Sequence, residues 1–366
     1  MFELKKIETL SKSAQIEEMI KEKILSGELK PDDQLPSEVS IAAELGTHRL
    51  TVNKAVSSLV RDGLLYRKHG RGTFVKDQSA IESSRTAGKT VSIIFTGEYS
   101  SVSNEYFFSS YQALCSYLSE YNIIIKTEMF KSFKNCKPIP GISAAAIFSF
   151  NDVSPDDLKV FTDRKIPVVL FNRYVSGKKK FPAVIADNRM AAEEVTRLLL
   201  EDGHKNILYV RSNMESSVAR DRLDGCKAAF AALKPKGNLL VMHSKSWLGP
   251  DAYESVSSEL KDKEIKFSAV ICEGIHILWG VRAFFEEKKI PGCRNLVFAC
   301  LDNWGTIPVF ISDLKYSVEF PLPEMGRTLG KMLMKAVSGQ AGKPEVLKTP
   351  GWITGKNDSI RTQEAK

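Results

Sequence analysis

Hydrophobic positions recur at helical spacing through the first 63 residues of the chain. They form three stripes, which begin at Ile16, Ile41 and Val52, and each stripe gives a segment one apolar face and one polar face. Serines precede the first two stripes and glycines follow all three, as is typical of helix starts and ends. The pattern predicts three short helices, of which the last two are joined by a tight turn.

Two short β-prone runs, 64–66 and 73–75, follow the third helix. They are separated by the basic segment 67–72, in which Gly70 and Gly72 permit the positive φ angles of a hairpin. We therefore expect a two-stranded wing with a basic tip.

Charge is unevenly distributed over these elements. Residues 1–47 carry six lysines against ten acids, whereas residues 48–76 carry seven lysines and arginines against the single acid Asp62. A positive surface on the third helix and the wing suits counterion release from duplex DNA. A basic run is often only a solvated face, but here it coincides with a helix-turn-helix pattern.

From residue 91 the pattern changes to short apolar runs separated by amphipathic, helix-length segments. The runs are 91–95, 123–126, 144–150, 168–171, 183–186, 207–210, 239–242, 269–272 and 296–301, and the clearest helical segments are 104–120, 189–201, 219–233 and 277–287. Such alternation predicts parallel strands buried on both faces, and so many strands favour two α/β subdomains over one sheet.

These patterns predict a multidomain protein. We expect a DNA-binding domain at 1–76, a polar linker at 77–89 and a ligand-binding and dimerisation domain at 90–366. The two subdomains of the last domain are expected to comprise 90–187 with 303–320, and 188–302 with 321–366.

The first domain resembles the winged helix-turn-helix reader of GntR-family bacterial transcription factors. The resemblance rests on Leu35-Pro36-Ser37-Glu38, Ala43-Glu44-Leu45-Gly46, Arg49-x-Thr51-Val52, Asp62-Gly63-Leu64 and Gly70-x-Gly72-Thr73-Phe74-Val75. One departure is Val39, which stands where the family often has arginine, and another is Asn53, where many members also have arginine.

The resemblance and the basic surface together give a set of expected DNA contacts. They are Ser37, Glu38, Thr47, His48, Arg49, Thr51, Asn53, Lys54, Lys68, His69, Gly70 and Arg71. Arg49, in the first turn of the expected recognition helix, is assigned to a guanine, although it could be a solvated helix residue.

Loops that follow the carboxyl ends of the expected strands combine aromatic rings with amides, acids and arginines. Ligands of open α/β sheets bind at these ends, and this mixture suits a polyhydroxylated ligand. An alternative is that the aromatic residues belong to the core and that Arg222 pairs with Asp221 or Asp224 on a helix surface.

The second domain resembles the effector domain of LacI/GalR-type repressors, which has the two-lobed fold of type I periplasmic sugar-binding proteins. The resemblance rests on Asp187-Asn188, Asp202-Gly203-His204, Arg220-x-Arg222-x-x-Gly225, Leu301-Asp302-Asn303 and Val318-x-x-Pro321. It implies a small-molecule effector, and the expected contacts are Asn104, Tyr106, Phe107, Phe150, Asn172, Arg222, Trp247, Glu273 and Asp302. The family's usual acidic ligand is missing at its expected position, which Ile275 occupies in this chain. Glu273, two residues earlier, replaces that acid only if the alignment shifts by two residues.

Composition limits the remaining possibilities. The 43% hydrophobic and 26% charged residues are ordinary for a globular protein, and the absence of a long apolar run predicts a cytoplasmic protein without a membrane segment. The six cysteines form no C-x-x-C pair or metal-binding spacing, so we expect reduced thiols, no metal site and no cofactor. No familiar catalytic motif occurs, so we do not expect an enzyme.

The combined prediction is a transcription regulator, most simply a repressor, with an arrangement similar to that of arabinose-type repressors. Its expected partners are a pseudo-palindromic operator, a carbohydrate effector and a second copy of the chain, since one reader offers few base contacts. Alternatives are an activator, a sensor of a nucleoside or phosphorylated metabolite, a reader fused to an α/β enzyme, and a DNA-bound protein without a ligand.

Overall fold

The computed structural model describes residues 11–25, 28–76, 88–97, 101–175, 177, 180–214, 216–260, 266–288, 296–303, 313–340, 343–355 and 359–361. The chain divides into two compact units, Met1–Ala87 and Gly88–Lys366. Residues 77–87 of the expected linker lie outside the described residues. No helix in the described ranges combines the length and apolar character needed to cross a membrane.

The first unit has the predicted winged helix-turn-helix fold. Its elements are α1 (Lys12–Leu25), α2 (Glu38–Glu44), α3 (Arg49–Arg61), β1 (Leu65–Lys68) and β2 (Gly72–Val75). The three apolar stripes meet in one core, so the helices are stabilised by mutual burial more than by their own short length.

Local signals set the element boundaries in this unit. Ser37 caps α2 by accepting a hydrogen bond from the Ser40 amide at 3.1 Å, and Gly46 and Gly63 follow α2 and α3 with φ angles of 57° and 78°. The antiparallel pair β1–β2 places Leu65 opposite Val75 and Lys68 opposite Gly72, so the basic tip lies at the far end of the wing from the core.

The second unit continues the chain from residue 88. In chain order its elements are β3 (Thr90–Thr96), α4 (Ser101–Ser119), β4 (Ile124–Phe130), β5 (Ala144–Ser149), α5 (Lys159–Thr162), β6 (Val168–Phe171), β7 (Ala183–Ala186), α6 (Asn188–Glu201), β8 (Ile207–Ser212), α7 (Ser217–Leu233), β9 (Leu239–Ser244), α8 (Gly249–Leu260), β10 (Ala269–Cys272), α9 (Ile275–Lys288), β11 (Val297–Asn303), β12 (Leu314–Glu319), α10 (Leu322–Val337), β13 (Val346–Thr349), β14 (Trp352–Gly355) and β15 (Ser359–Arg361). A single 3-10 turn among the described residues covers Phe133–Asn135.

Two separate sheets define two lobes. The first sheet has the strand order β13-β7-β6-β5-β3-β4 and is parallel throughout. The second has the order β15-β14-β12-β11-β10-β8-β9 and is parallel except at β14 and β15, which pair antiparallel. The predicted strand runs therefore form two α/β subdomains, as the alternating pattern indicated.

The assignment of the C-terminal segments to the lobes was wrong. We expected 303–320 in the first lobe and 321–366 in the second, but β12 pairs with β11 in the second sheet, and β13 pairs with β7 in the first. Helix α10 also belongs to the first lobe, where Gly326 approaches the Ser110 carbonyl of α4 so closely that a Cβ would lie 2.1 Å from it. The chain thus crosses between lobes three times, at 187, at 320–321 and at 350–351.

The three crossings lie side by side. The Asp187 amide donates to the Thr349 carbonyl at 2.8 Å, which joins the first crossing to the third. A Cβ at Gly351 would lie 2.8 Å from Cε1 of Phe320 and 2.9 Å from the Glu319 carbonyl oxygen, so the third crossing also packs against the second. We call these adjacent crossings the hinge, because a few connecting positions between two sheets are where lobes can rotate against each other.

Candidate DNA interface and effector cleft

The outward face of α3 carries the basic residues that were predicted to contact DNA. Val52, Ala55, Val56 and Leu59 bury the opposite face, which leaves Arg49 and Lys54 exposed to solvent. Thr51 and Asn53 are half-buried beside them, and His48 precedes the helix without a side-chain capping bond. Thr47 lies in the tight turn, where its amide donates to the Ala42 carbonyl.

Glu38 contacts side chains from both α3 and β1. Its Oε1 accepts from Nδ2 of Asn53 at 2.8 Å and from Nη2 of Arg67 at 3.0 Å, and its Oε2 lies 3.5 Å from Nε of Arg49. A carboxylate repels the DNA backbone, so the geometry favours a positioning role for Glu38 that ties α2, α3 and β1 together. The sequence reasoning did not include Arg67 among the contact residues.

The wing tip is held by several side chains. Nζ of Lys68 lies 5.3 Å and 5.1 Å from the ring centroids of Tyr66 and Phe74, within cation–π distance. Nε2 of Gln34 donates to the Arg71 carbonyl at 2.7 Å. His69, Gly70 and Arg71 are exposed at the tip, where Gly70 has a φ of 71°. The predicted wing residues thus form one exposed, basic turn.

A cleft in the second unit contains most of the predicted effector contacts. It encloses about 670 Å³, including space open to solvent. Seven of the nine predicted residues line it, namely Phe107, Phe150, Asn172, Arg222, Trp247, Glu273 and Asp302. The side chains of Asn104 and Tyr106 lie outside the described residues, although both positions belong to α4.

Other residues that were not among the expected contacts line the same cleft. They are Arg173, Ser212, Met214, Ser216, Val218, Gly274, Ile275, His276 and Ile277. Most follow the carboxyl ends of β8 and β10 or begin α7 and α9, where the sequence predicts the ligand loops, but the pattern does not say which side chains of those loops point into the cleft. Ile275 and Glu273 both reach the cleft, and Glu273 is the one that brings a carboxylate there.

Aromatic rings line the cleft from both lobes. The ring centroids of Phe107 and Phe150 are 4.7 Å apart in the first lobe, and Phe150 lies 6.3 Å from Trp247 of the second lobe with an interplanar angle of 47°. Phe107 and Phe150 are buried and Trp247 is half-buried. The first two rings therefore belong both to the core and to the cleft wall.

Arg222 lies buried in the wall of the cleft that the second lobe forms. Its Nε donates to Oδ1 of Asn188 at 2.8 Å, its Nη1 to the Glu273 carbonyl at 2.7 Å and its Nη2 to Oδ2 of Asp302 at 2.6 Å. The alternative of a surface pair with Asp221 or Asp224 is wrong, because the guanidinium is buried and points away from that helix surface. At least three of its five N–H donors are already used by protein acceptors.

Glu273 is fixed by the neighbouring strand. It is buried, and its Oε2 accepts a hydrogen bond from the Ser212 amide at 2.7 Å, at the end of β8. On the first-lobe side, Arg173 donates from Nη1 to the Asn172 carbonyl and from Nη2 to the Phe150 carbonyl, at 2.6 Å and 2.7 Å. These contacts hold the loops that form the two walls.

Polar contacts also join the two lobes close to residues that line the cleft. Asp152 of the first lobe accepts from the Ser217 amide at 2.6 Å and pairs with Nη1 of Arg220 at 2.7 Å, both at the start of α7. The Tyr174 hydroxyl donates to Oδ1 of Asp221 at 2.9 Å. Burial, followed by the contact with the Asp221 carboxylate, raises the pKa of Tyr174 to about 12.

The described cysteines are free thiols, namely Cys115, Cys136, Cys226, Cys272 and Cys300. Burial raises the pKa of Cys226 and of Cys300 to about 12, so both thiols are held in the protonated, unreactive form. Cys293 lies outside the described residues.

Comparison with known proteins identifies both units. Residues 12–75 match the model of the bacterial regulatory proteins of the gntR family, and residues 141–356 match that of the periplasmic binding proteins and sugar binding domain of the LacI family. The HTH-type transcriptional repressor NagR of Bacillus subtilis is 56% identical over 61 residues, which are 17% of this chain and only 25% of that relative.

Longer matches cover both units or the second unit alone. The arabinose metabolism transcriptional repressor of Halalkalibacterium halodurans is 24% identical over 343 residues, 88% of each chain. The crystal structure of a LacI family transcriptional regulator from Enterococcus faecium with bound ribose has a TM-score of 0.59 and 17% identity, and covers 76% of this chain and 100% of that one. The chain therefore belongs to the family of periplasmic binding proteins and LacI-family sugar binding domains, and it carries a regulatory domain of the bacterial gntR family at residues 12–75.

Proposed function

We propose that this chain is a sequence-specific DNA-binding repressor whose operator affinity is controlled by an uncharged sugar bound between the two lobes of its second unit. The observation that carries the proposal is the cleft, in which Phe150 and Trp247 from opposite lobes stand beside buried polar groups. Aromatic faces pack against the C–H faces of a sugar ring, and paired donors and acceptors satisfy its hydroxyl groups.

Charge balance in the cleft favours a neutral ligand over a phosphorylated one. The lining arginines are Arg173 and Arg222, and the lining carboxylates are Glu273 and Asp302. Arg222 is neutralised directly by Asp302, and Arg173 is held by two main-chain carbonyls. The two arginines and two carboxylates balance, so a phosphate group would add net negative charge to the cleft, and a partly desolvated uncompensated charge is unfavourable.

The first unit supplies the DNA contact. Arg49 and Lys54 on the exposed face of α3, with Lys68 and Arg71 at the wing, form a positive surface of the kind that enters a groove and follows phosphates. The names of the matched relatives, NagR and the arabinose metabolism repressor, support repression as the sign of regulation. The proposal includes a location in the bacterial cytoplasm, where the operator DNA lies.

Ligand control follows from the contacts between the lobes. A sugar that binds more tightly when Asp152 and Tyr174 contact α7 stabilises the closed arrangement of the hinge. The sugar can change operator affinity only by its difference in affinity for the DNA-competent and DNA-incompetent forms.

We also assign a homodimer, because two readers on a pseudo-palindromic operator multiply the few base contacts of one. Exposed apolar side chains on the edge strands of both sheets support a self-interface. They are Ile124 and Met129 on β4 and Leu240 and Val241 on β9, with Phe108 of α4 near the first edge. Sedimentation of Met129→Glu and Leu240→Glu variants tests this, and both should shift the chain towards monomer.

The central experiment combines ligand stabilisation with DNA release. Unphosphorylated pentoses, hexoses and disaccharides, together with their phosphate esters, are screened by thermal shift on the full-length chain. An uncharged sugar should raise the melting temperature and release the chain from its selected operator in a gel-shift assay. Stabilisation by phosphate esters alone, or by no sugar in the panel, contradicts the proposed effector class.

A further inference from the structure

Leu50 is an exposed leucine on the proposed DNA-reading surface. It occupies the second position of α3, and 75% of its surface is accessible to solvent. The core face of the helix is complete without it, because Val52, Ala55, Val56 and Leu59 are almost fully buried. Folding of the first unit therefore gives no reason for a leucine at this position.

The neighbours of Leu50 are polar or basic and project in the same direction. Helical spacing places Leu50 on one face with Asn53 and Lys54, and the exposed Arg49 precedes it. Arg49 is held near Oε2 of Glu38, and Asn53 donates to Oε1 of the same carboxylate. Leu50 thus stands in the first turn of a helix whose neighbouring Arg49 and Asn53 contact Glu38 and whose surface is positive.

A partner for this side chain must combine an apolar group with strong negative charge nearby. Duplex DNA offers both in its major groove, where the C5-methyl group of thymine is the one apolar feature of the base edges and phosphates border it. On this basis, and resting on the proposed DNA-binding function, we propose that Leu50 reads a thymine by packing on its C5-methyl group, beside the base contacted by Arg49.

The size of the effect follows from the area involved. Burial of one methyl group contributes about 0.8 kcal/mol, which corresponds to about a fourfold change in affinity per half-site. Removal of that methyl group from the DNA and truncation of Leu50 should have the same consequence, and the two changes should not add, because they remove the same contact.

The test uses duplexes that the full-length chain selects from a randomised library. Each thymine of the selected duplex is replaced in turn by deoxyuridine, which lacks only the methyl group, and affinity is measured for the parent chain, for Leu50→Ala and for Val39→Ala. Val39 is the matched control, since it is also an apolar residue with 59% exposure but lies on α2. Both variants remove exposed side chains and should fold as the parent does.

We expect one position per half-site at which deoxyuridine weakens the parent about fourfold, leaves Leu50→Ala unchanged and weakens Val39→Ala as much as the parent. Selection of a clear operator without such a position, or equal sensitivity of the parent and Leu50→Ala at every thymine, overturns the methyl contact while the DNA-binding function stands. Selection of no preferred sequence overturns both.

Discussion

Nη2 of Arg222 lies 2.6 Å from Oδ2 of Asp302 in a buried ion pair that joins the helix α7 to the end of strand β11. The same guanidinium donates to Asn188 and to the Glu273 carbonyl, so one side chain links the start of α6 with the carboxyl ends of two neighbouring strands. Arg222 consequently connects the elements that form the second lobe's wall of the cleft.

Arg222→Ala should destabilise the second unit by about 3–5 kcal/mol, because it leaves the Asp302 carboxylate buried without its cation. All four tryptophans of the chain lie beyond residue 240, so tryptophan fluorescence during urea unfolding reports on this unit alone. The control is Arg220→Ala on the same helix, whose partly exposed pair with Asp152 should contribute about 1 kcal/mol or less. Equal losses for the two variants would show that the buried pair is not a stabilising centre.

Asp221→Asn should stabilise the protein near neutral pH. Burial raises the pKa of the Asp221 carboxyl above its ordinary value of 3.8, and the hydrogen bond from Tyr174 lowers it less. The folded state then holds this proton more tightly than the unfolded state, so the group's contribution to stability falls as pH rises from 3.8 through the raised folded pKa. Asparagine keeps an acceptor for Tyr174 without the charge.

The advantage of Asp221→Asn over the parent should therefore shrink as the pH falls towards 3.8. Unfolding midpoints in urea at several pH values measure this. Asp224→Asn, which changes an exposed carboxylate on the same helix, is the control. An advantage that stays constant with pH would contradict the raised pKa of Asp221.

Gly351→Ala should strain the hinge, because the added Cβ would lie 2.8 Å from Cε1 of Phe320 and 2.9 Å from the Glu319 carbonyl oxygen. The Glu319 backbone cannot move away from the added Cβ without displacing the second crossing. We therefore expect the free energy of unfolding to fall by about 1–3 kcal/mol. The comparison is Gly274→Ala, whose Cβ would meet nothing closer than 3.9 Å. If urea unfolding finds Gly351→Ala as stable as Gly274→Ala, the crossings are less tightly packed than the structure indicates.

Arg49→Ala and Lys68→Ala should affect DNA binding differently. Arg49 is proposed to contact a base, so its loss should weaken binding to the operator by about 1–3 kcal/mol and should change binding to random duplex very little. Lys68 lies at the wing tip and is expected to contact phosphate, so its loss should weaken binding to both duplexes equally. Fluorescence anisotropy at one fixed salt concentration compares them, and equal losses of Arg49→Ala on both duplexes would remove its base-reading role.

Glu38→Ala should lower the preference for operator over random duplex. Its affinity for random duplex should equal or exceed that of the parent chain. Removal of a carboxylate from a positive surface favours phosphate contact, but it also releases Arg49, Asn53 and Arg67 from their shared acceptor. The ratio of operator to random-duplex affinity is the measurement. A ratio that is unchanged or increased in Glu38→Ala would indicate that Glu38 does not position these residues.

The sequence by itself determined the winged helix-turn-helix unit. Its helices are marked by local signals, such as Ser37 at the start of α2 and Gly63 after α3, and its apolar stripes pack against one another and against Leu65 and Val75 of the wing. Alternation of buried strands and helices likewise determined that the rest of the chain forms α/β lobes, because parallel strands need helices on both faces.

Only the tertiary structure decided which lobe each C-terminal segment joins. A buried strand such as β12 has the same apolar character in either sheet, and periodicity carries no information about the neighbour with which it pairs. The partners of Arg222 could not be predicted from the sequence for the same reason. Asn188, Glu273 and Asp302 are separated from it by 34 to 80 residues along the chain. Local pattern specifies what a segment becomes, whereas long-range packing specifies what it touches.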